Sequence, residues 1–449
     1  MAYDYRVGIQ VNPNAPKDSL EAKQPYVDNG TGVVDPSRYY SREFMAREWQ
    51  HLWSKAWLIA GVAADLPEVG SYFLFEIGHE SIIVSRTEDG VRAFYNACSH
   101  RGTRVLAAPH GKQKVYVCPF HAWCFNHRGD LVTITDRETF RDEVLNAARG
   151  LTPVRCEEFA GIVFITMDDT APPVRERIGL PSGYLENYRI DQMKVVRQVQ
   201  TEWAANWKIG VEAFYESYHL HHVHPETRAV MADLAVQYDL YPHGASRMVV
   251  PIGQMSPRFA DQTTVNEGLA YMLRTVGIDP AQYAGDARGV RAAIAAAKRA
   301  NATRNGLDYT RFTDGQLTDS WATGIFPNVQ IGCHPEGVFL MRFLPHPREP
   351  DRFFYNTMTL IHPSDDPQHQ APDWMGIPAG TDLTGRTRPG CEKFGLGEHG
   401  NLGQVLDQDA ELLPVVQQGV RSRGFKGQLW GEQEQRLRHF HAELAQYLE

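Results

Sequence analysis

Cysteine is scarce in this chain, six among 449 residues, too few to read as a disulfide framework. Long apolar runs are missing: no stretch of about 18 apolar residues exists, so no membrane-spanning helix is expected. The opening residues, Met1-Ala2-Tyr3-Asp4-Tyr5-Arg6, hold no apolar signal core. There is no basic excess either. Net charge is −9, so nucleic acid and anionic membrane surfaces are not expected partners. A Gly-rich dinucleotide fingerprint is absent, so NAD(P)H is not expected to bind this chain itself. Repeats and low-complexity tracts are lacking too. These absences point to a reducing, cytoplasmic setting, in which Cys124, Cys156, Cys333 and Cys391 are free thiols.

What is present fits an ordinary globular chain, 43% hydrophobic and 22% charged. Its length suits two or three domains. Residues 1–40 are polar and rich in Pro, Gly and Asn, and read as an extended arm. Ser41 to Trp53 carries apolar residues at helical spacing behind a Ser cap. From Trp57 to Ile165 short β-rich runs, such as Tyr72–Ile77, Ser81–Ser85 and Val115–Val117, alternate with Gly or Asp turns. Asp168 to Pro181 reads as a linker. Beyond it lie a strand at Met193–Glu202, a helix from about Ala205, an Ala-rich helix at Val290–Arg304, several strands between Gly324 and Leu360, a loop over 363–400, and helix from Gly403 onward. The expected class is α+β. It comprises an arm and helix over 1–54, a small antiparallel β domain over 55–167, and a larger domain over 182–449 with an antiparallel sheet flanked by helices.

Two motifs sit on loops of the β domain: Cys98-x-His100 and, seventeen residues later, Cys118-x-x-His121. Two thiolates and two imidazoles at this spacing suit a [2Fe–2S] cluster in which His₂ replaces Cys₂ on one iron. Tetrahedral zinc is the other reading. Each short motif carries one Cys and one His, so two facing loops could each give one ligand to each iron. A second constellation lies further on. Glu212, Glu216 and His219 are spaced i, i+4 and i+7, one face of a helix from Ala205, and His224 follows just before Pro225. Two imidazoles plus a carboxylate from elsewhere would form the facial triad of a non-haem ferrous oxygenase. Alone, this pattern is more often a polar helix surface than a metal site; beside a one-electron centre, an electron acceptor becomes the stronger reading.

Cys98-Ser99-His100-Arg101-Gly102, Cys118-Pro119-Phe120-His121-Ala122-Trp123, Asn206-Trp207-Lys208 and Tyr218-His219 to His224-Pro225 resemble the Rieske non-haem iron oxygenase large (alpha) subunits, the group that includes the aromatic ring-hydroxylating dioxygenases. The resemblance implies that His219 and His224 bind Fe(II). It places the third ligand, an Asp, on a C-terminal helix, where Asp409 is chosen over Asp407. It also implies a homotrimer, with or without a small β subunit, in which the carboxylate at 216 bridges His121 of one chain and His219 of the next. The family usually has Gly where this chain has Ala122, and Asp where it has Glu216. The longer carboxylate is expected to reach across from a slightly withdrawn backbone.

The function so implied is a terminal oxygenase. It takes electrons from NAD(P)H through a flavin reductase, a ferredoxin or both, and uses O₂ to hydroxylate an aromatic or other hydrophobic small molecule, as in aromatic hydrocarbon catabolism. An N- or O-demethylase, for example of a quaternary ammonium compound, is the alternative; Glu216 leaves it open. A Rieske electron carrier without oxygenase activity is the remote one. Pocket-lining candidates are Phe214, Tyr215, Tyr184, Tyr188, Trp203 and Trp207, all of types that more often serve the core.

Overall fold

Ser41 opens the first helix as its spacing predicts: its hydroxyl accepts the Phe44 N–H at 3.1 Å. Helix α1 (Arg42–Glu48) follows, then a wider turn at Trp49–Trp53. The structure, a computed structural model, describes residues 4–304, 307–366, 375–398 and 400–448.

The small domain is built from β1 (Leu58–Val62), β2 (Ser71–Ile77), β3 (Glu80–Thr87), β4 (Gly90–Tyr95), β5 (His110–Lys112), β6 (Val115–Val117), β7 (Cys124–Asn126), β8 (Leu131–Thr133), helix α2 (Asp142–Asn146), β9 (Pro153–Phe159) and β10 (Ile162–Thr166). They form a sheet of order β1-β10-β9-β4-β3-β2-β5 and a small sheet β6-β7-β8. Every pairing is antiparallel. Tyr72, Ile83, Phe94, Tyr116 and Phe125 close around Cys98 and Cys118 as a core of their own.

The segment expected as a linker is instead packed. It carries helix α3 (Val174–Arg177), and Val174 and Ile178 are buried with Trp57, Phe164 and Tyr188. The Trp57 indole donates to Pro172 O at 2.9 Å. Apolar side chains at 174 and 178 make this stretch part of a core rather than a tether.

The larger domain runs through β11 (Lys194–Trp203), α4 (Trp207–Phe214), α5 (Leu220–Val223), β12 (Gln237–Leu240), β13 (Ser246–Val250), α6 (Glu267–Thr275), α7 (Val290–Arg304), α8 (Asp314–Thr318), β14 (Ser320–Ile325), β15 (Val329–His334), β16 (Gly337–Pro345), β17 (Phe353–Ile361), β18 (Cys391–Phe394), α9 (Gln404–Val420) and α10 (Gln435–Leu448). Its sheet has the order β12-β13-β14-β15-β16-β17-β11-β18. Two expectations need correction here. The stretch expected as loop contributes an edge strand, and that strand runs parallel to β11 in an otherwise antiparallel sheet. Residues 367–374 and His399 of the same stretch lie outside the described residues.

Buried polar ties fix the parts together. Arg342 on β16 donates to Ile59 O at 3.1 Å and Ala60 O at 2.6 Å, locking β1 of the small domain onto the large sheet. Arg247 on β13 pairs with Asp239 at 2.6 Å, both fully buried, and also donates to Ala22 O of the arm.

Candidate metal centres

The two cysteine–histidine loops have the same construction. The Cys98 carbonyl accepts from Gly102 N–H at 2.8 Å, and the Cys118 carbonyl from Ala122 N–H at 3.0 Å. Cys98 N–H donates to Thr103 O and Cys118 N–H to Trp123 O, each at 2.8 Å. The fourth residue after each cysteine is left-handed, Gly102 at φ 75° and Ala122 at φ 56°. That conformation favours glycine, so Ala122 carries backbone strain. The thiols point inward, Cys98 being 3% and Cys118 2% exposed. Burial, with Cys118 beside it, raises the Cys98 pKa. The imidazoles lie outward. His100 stacks on Trp123 at 4.6 Å and meets His121 edge-on at 4.7 Å. His100 Nδ1 is buried without a hydrogen-bond partner, as a ligand atom awaiting a metal would be.

The second set does not lie on one continuous helix face. Asn206 caps α4, accepting from Lys208 N–H at 3.0 Å. The helix then stops at Phe214, before Glu216. Tertiary bonds pull the chain out of the helix: Tyr215 donates its phenol proton to Val329 O at 2.8 Å, and Ser217 bonds the Tyr238 hydroxyl. Glu212 consequently faces away from the histidines. It accepts from Tyr39 at 2.7 Å and contacts His441 Nε2 at 2.8 Å. Glu216 instead folds over the next turn, accepting from the Tyr218 and His219 N–H groups and contacting His219 Nδ1.

The break brings His219, His224 and Asp409 together. One ligand atom from each lies within 4.8 Å of the others, with His224 Nε2 3.3 Å and His219 Nε2 3.8 Å from Asp409 Oδ1. Asp409 is buried in α9, while Asp407 is a partly exposed charge of the helix's first turn. Burial works against a charged His219, but Glu216 and Asp409 outweigh it and raise its pKa. Among the described residues this is the one group that gathers three such atoms so closely.

Residues 190–449 match the family model of the ring hydroxylating alpha subunit (catalytic domain), and residues 56–147 that of the Rieske [2Fe-2S] domain. The chain belongs to the ring-hydroxylating alpha-subunit family. This family assignment brings both cofactors, the [2Fe–2S] cluster and a mononuclear non-haem iron, and sets zinc aside. The chain is 35% identical over 212 residues to the carnitine monooxygenase oxygenase subunit of Escherichia coli, covering 46% of this chain and 55% of that protein. It is 32% identical over 189 residues to the glycine betaine monooxygenase oxygenase subunit of Pseudomonas aeruginosa, 42% of this chain and 44% of that one. It is 27% identical over 195 residues to the biphenyl 2,3-dioxygenase alpha subunit of Rhodococcus jostii, 42% of each. The chain thus spans about half the length of the curated relatives it matches. Its fold is that of a quaternary ammonium Rieske monooxygenase solved with L-carnitine, with TM-score 0.62 and 20% identity over 93% of this chain and 96% of that one. It is equally that of naphthalene 1,2-dioxygenase with indole bound, with TM-score 0.64 and 19% identity over 94% and 95%.

One functional residue escaped the sequence reading. Gln408, next to Asp409, accepts from His224 Nδ1 at 2.6 Å and so leaves Nε2 as the ring nitrogen facing Asp409. Its signal was adjacency to the chosen aspartate. Of the aromatic candidates, Phe214 and Trp203 pack around Tyr355 close to α9, whereas Tyr184 and Tyr188 belong to the core beneath the other end of the sheet. Trp207 packs on Trp53 and Phe440, and Tyr215 points to β15.

Proposed function

We propose that this chain is the terminal oxygenase of a multicomponent system, and that its substrate is a quaternary ammonium compound. The observation that carries the oxygenase reading is the pair of separate ligand sets on one polypeptide. Cys98, His100, Cys118 and His121 would hold the cluster, and His219, His224 and Asp409 would hold Fe(II). When bound, the cluster supplies single electrons and the ferrous ion supplies the site for dioxygen. The protein's own part is to keep His219 and His224 oriented through Glu216 and Gln408, and to keep water from the buried site. The domain limits proposed are 1–54, 55–167 and 182–449.

Electrons would come from a ferredoxin or flavin reductase, and would pass between copies of a homotrimer. Glu216 would then join His121 of one copy to His219 of the next. A groove of about 550 Å³, lined by Tyr218, Leu234, Leu429, Glu432 and Glu434, lies where such a neighbour would dock. At the tip of the cluster domain Phe120 is 53% exposed, with Arg101 over its ring at 4.8 Å. An apolar ring under a cation complements an apolar groove edged by glutamates.

Substrate choice rests on the relatives named for carnitine and glycine betaine. The balanced reaction consumes O₂, two electrons and two protons. One carbon–nitrogen bond breaks, the tertiary amine leaves and takes up the proton freed as its former, hydroxylated carbon departs as an aldehyde, and the second oxygen atom becomes water. Hydroxylation of an aromatic ring is the second reading, favoured by the biphenyl dioxygenase relative. Purified protein should carry about three Fe per chain, against two for an electron carrier. With reductase, NADH and O₂ it should release amine and aldehyde from a betaine. Two Fe per chain, or turnover of biphenyl-like rings alone, would reject the respective part of the proposal.

A further inference from the structure

Glu216 sits in the turn that follows α4, and the residue on each side of it is anchored. Tyr215 donates to Val329 O at 2.8 Å, and the Arg436 guanidinium lies over its ring at 4.3 Å. Arg436 is itself fully buried, donating to Ser246 Oγ at 2.9 Å and Gln330 Oε1 at 3.3 Å. On the other side Ser217 shares a 2.5 Å hydrogen bond with the Tyr238 hydroxyl, and both residues are buried. With 215 and 217 both held, the backbone at 216 has no slack, and its carboxylate is delivered to His219 Nδ1. Tyr238 is fit to hold this turn still. It lies on the edge strand β12, along which successive side chains face opposite ways. Val236 and Tyr238 line the groove beside Tyr218 and Glu434. Gln237 and Asp239 face the arm and are tied to it: Gln237 accepts from Val11 N–H at 3.0 Å, and Asp239 from Gln24 N–H at 2.7 Å. The strand that presents the phenol is therefore braced from behind. Burial holds that phenol above its ordinary pKa against the Ser217 hydrogen bond, and the nearby Glu216 charge adds to the rise, so it stays neutral.

We propose that Tyr238 is a positioning residue for electron transfer between copies: its hydroxyl, through Ser217, sets where the Glu216 carboxylate stands at the groove into which the neighbour's cluster domain docks. The assignment rests on the inter-copy reading above. One bond between two neutral hydroxyls adds little to the stability of the fold. A reacting geometry is far less forgiving, since a shift of about 1 Å can cost on the order of 100-fold in rate. The Ser217–Tyr238 bond should therefore register in the rate of electron arrival and hardly in folding or metal content.

The test is single-turnover oxidation of the cluster, followed by its visible absorbance. Fully metallated protein is reduced under argon and mixed with O₂ and glycine betaine. Tyr238→Phe keeps the ring in the groove wall and removes only the oxygen; Ser217→Ala removes the other half of the bond. Each is expected to slow cluster oxidation by about 10- to 100-fold, with iron per chain, cluster content and oligomer mass as in wild type. The double variant should be no slower than either single one, because both changes remove the same bond. Wild-type speed in both single variants, a double variant slowed by the product of the two, or iron lost in step with rate would overturn the positioning role. Glu216→Gln tests the reading beneath it. If that variant is slow while Tyr238→Phe is not, the role of Tyr238 alone falls. If Glu216→Gln keeps wild-type speed, or wild type oxidises its cluster no faster than His219→Ala, the bridging reading falls and this assignment with it.

Discussion

His224 is held from behind by a single neutral side chain. Gln408→Leu removes the acceptor and leaves His224 Nδ1–H unpaired in a buried site. Iron affinity measured by chelator competition should fall about 10- to 100-fold, with cluster content unchanged; loss of the cluster as well would mean a folding defect. Asp407→Asn, one turn-face away, should leave iron content intact. Glu434 makes a pH prediction. Burial, reinforced by the charge of Glu216 and opposed by the Gly431 N–H, pushes its carboxyl up to about 7. The folded chain therefore binds this proton more tightly than the unfolded chain does. The resulting stability is full below the ordinary glutamate range and is lost as pH rises toward 7. Glu434→Gln keeps the acceptor for Gly431 N–H and removes the titration. Its free energy of unfolding in urea should exceed wild type at pH 8 and not at pH 4, by about 1 kcal/mol once the partial exposure of the side chain is allowed for.

At the scale of elements, the site depends on how α1 and α4 are clamped. Lys208 on α4 and Glu48 on α1 form a fully buried pair at 2.6 Å, with the Trp207 indole also donating to Glu48. Burial raises the Glu48 pKa and lowers that of Lys208, and in each case the partner's charge opposes the shift. Lys208→Met strands the carboxylate and should cost about 3–5 kcal/mol in urea denaturation. Lys208→Met with Glu48→Leu should regain most of it; no recovery would mean that the pair acts through packing alone. The start of a helix near residue 205 and the strand before it were legible in the sequence because they follow local rules. The end of α4 at Phe214 was not. Helical spacing runs on through His219, but Tyr215 and Ser217 bond Val329 and Tyr238, partners more than 20 residues away whose pull no local pattern records. The same holds for β18, which pairs with β11 only because the large sheet has an open edge there.

At the scale of the whole molecule, one prediction separates transfer between copies from transfer within a chain. Chains carrying Cys118→Ser lose the cluster, and chains carrying His219→Ala lose the iron. Each alone should be inactive. Co-expressed and randomly assembled in a symmetric ring, they should regain about a quarter of wild-type turnover, since that share of sites joins an intact iron to a neighbour's intact cluster. No recovery in mixed oligomers verified by mass would reject the inter-copy route and the bridging role of Glu216.

Sequence alone determined the ligand types and their grouping. Cys-x-His and Cys-x-x-His specify a metal-binding loop pair because thiolates and imidazoles at that spacing have few other uses, and strand and cap signals are local. The resemblance named Asp409 and the tertiary structure put it beside His219 and His224; only that structure decided which side chain holds His224 from behind and that Glu212 belongs to a different network from Glu216. Those outcomes depend on where α9 and α10 settle against α4, and contacts across some 200 residues are set by packing of the whole core rather than by any short stretch of chain.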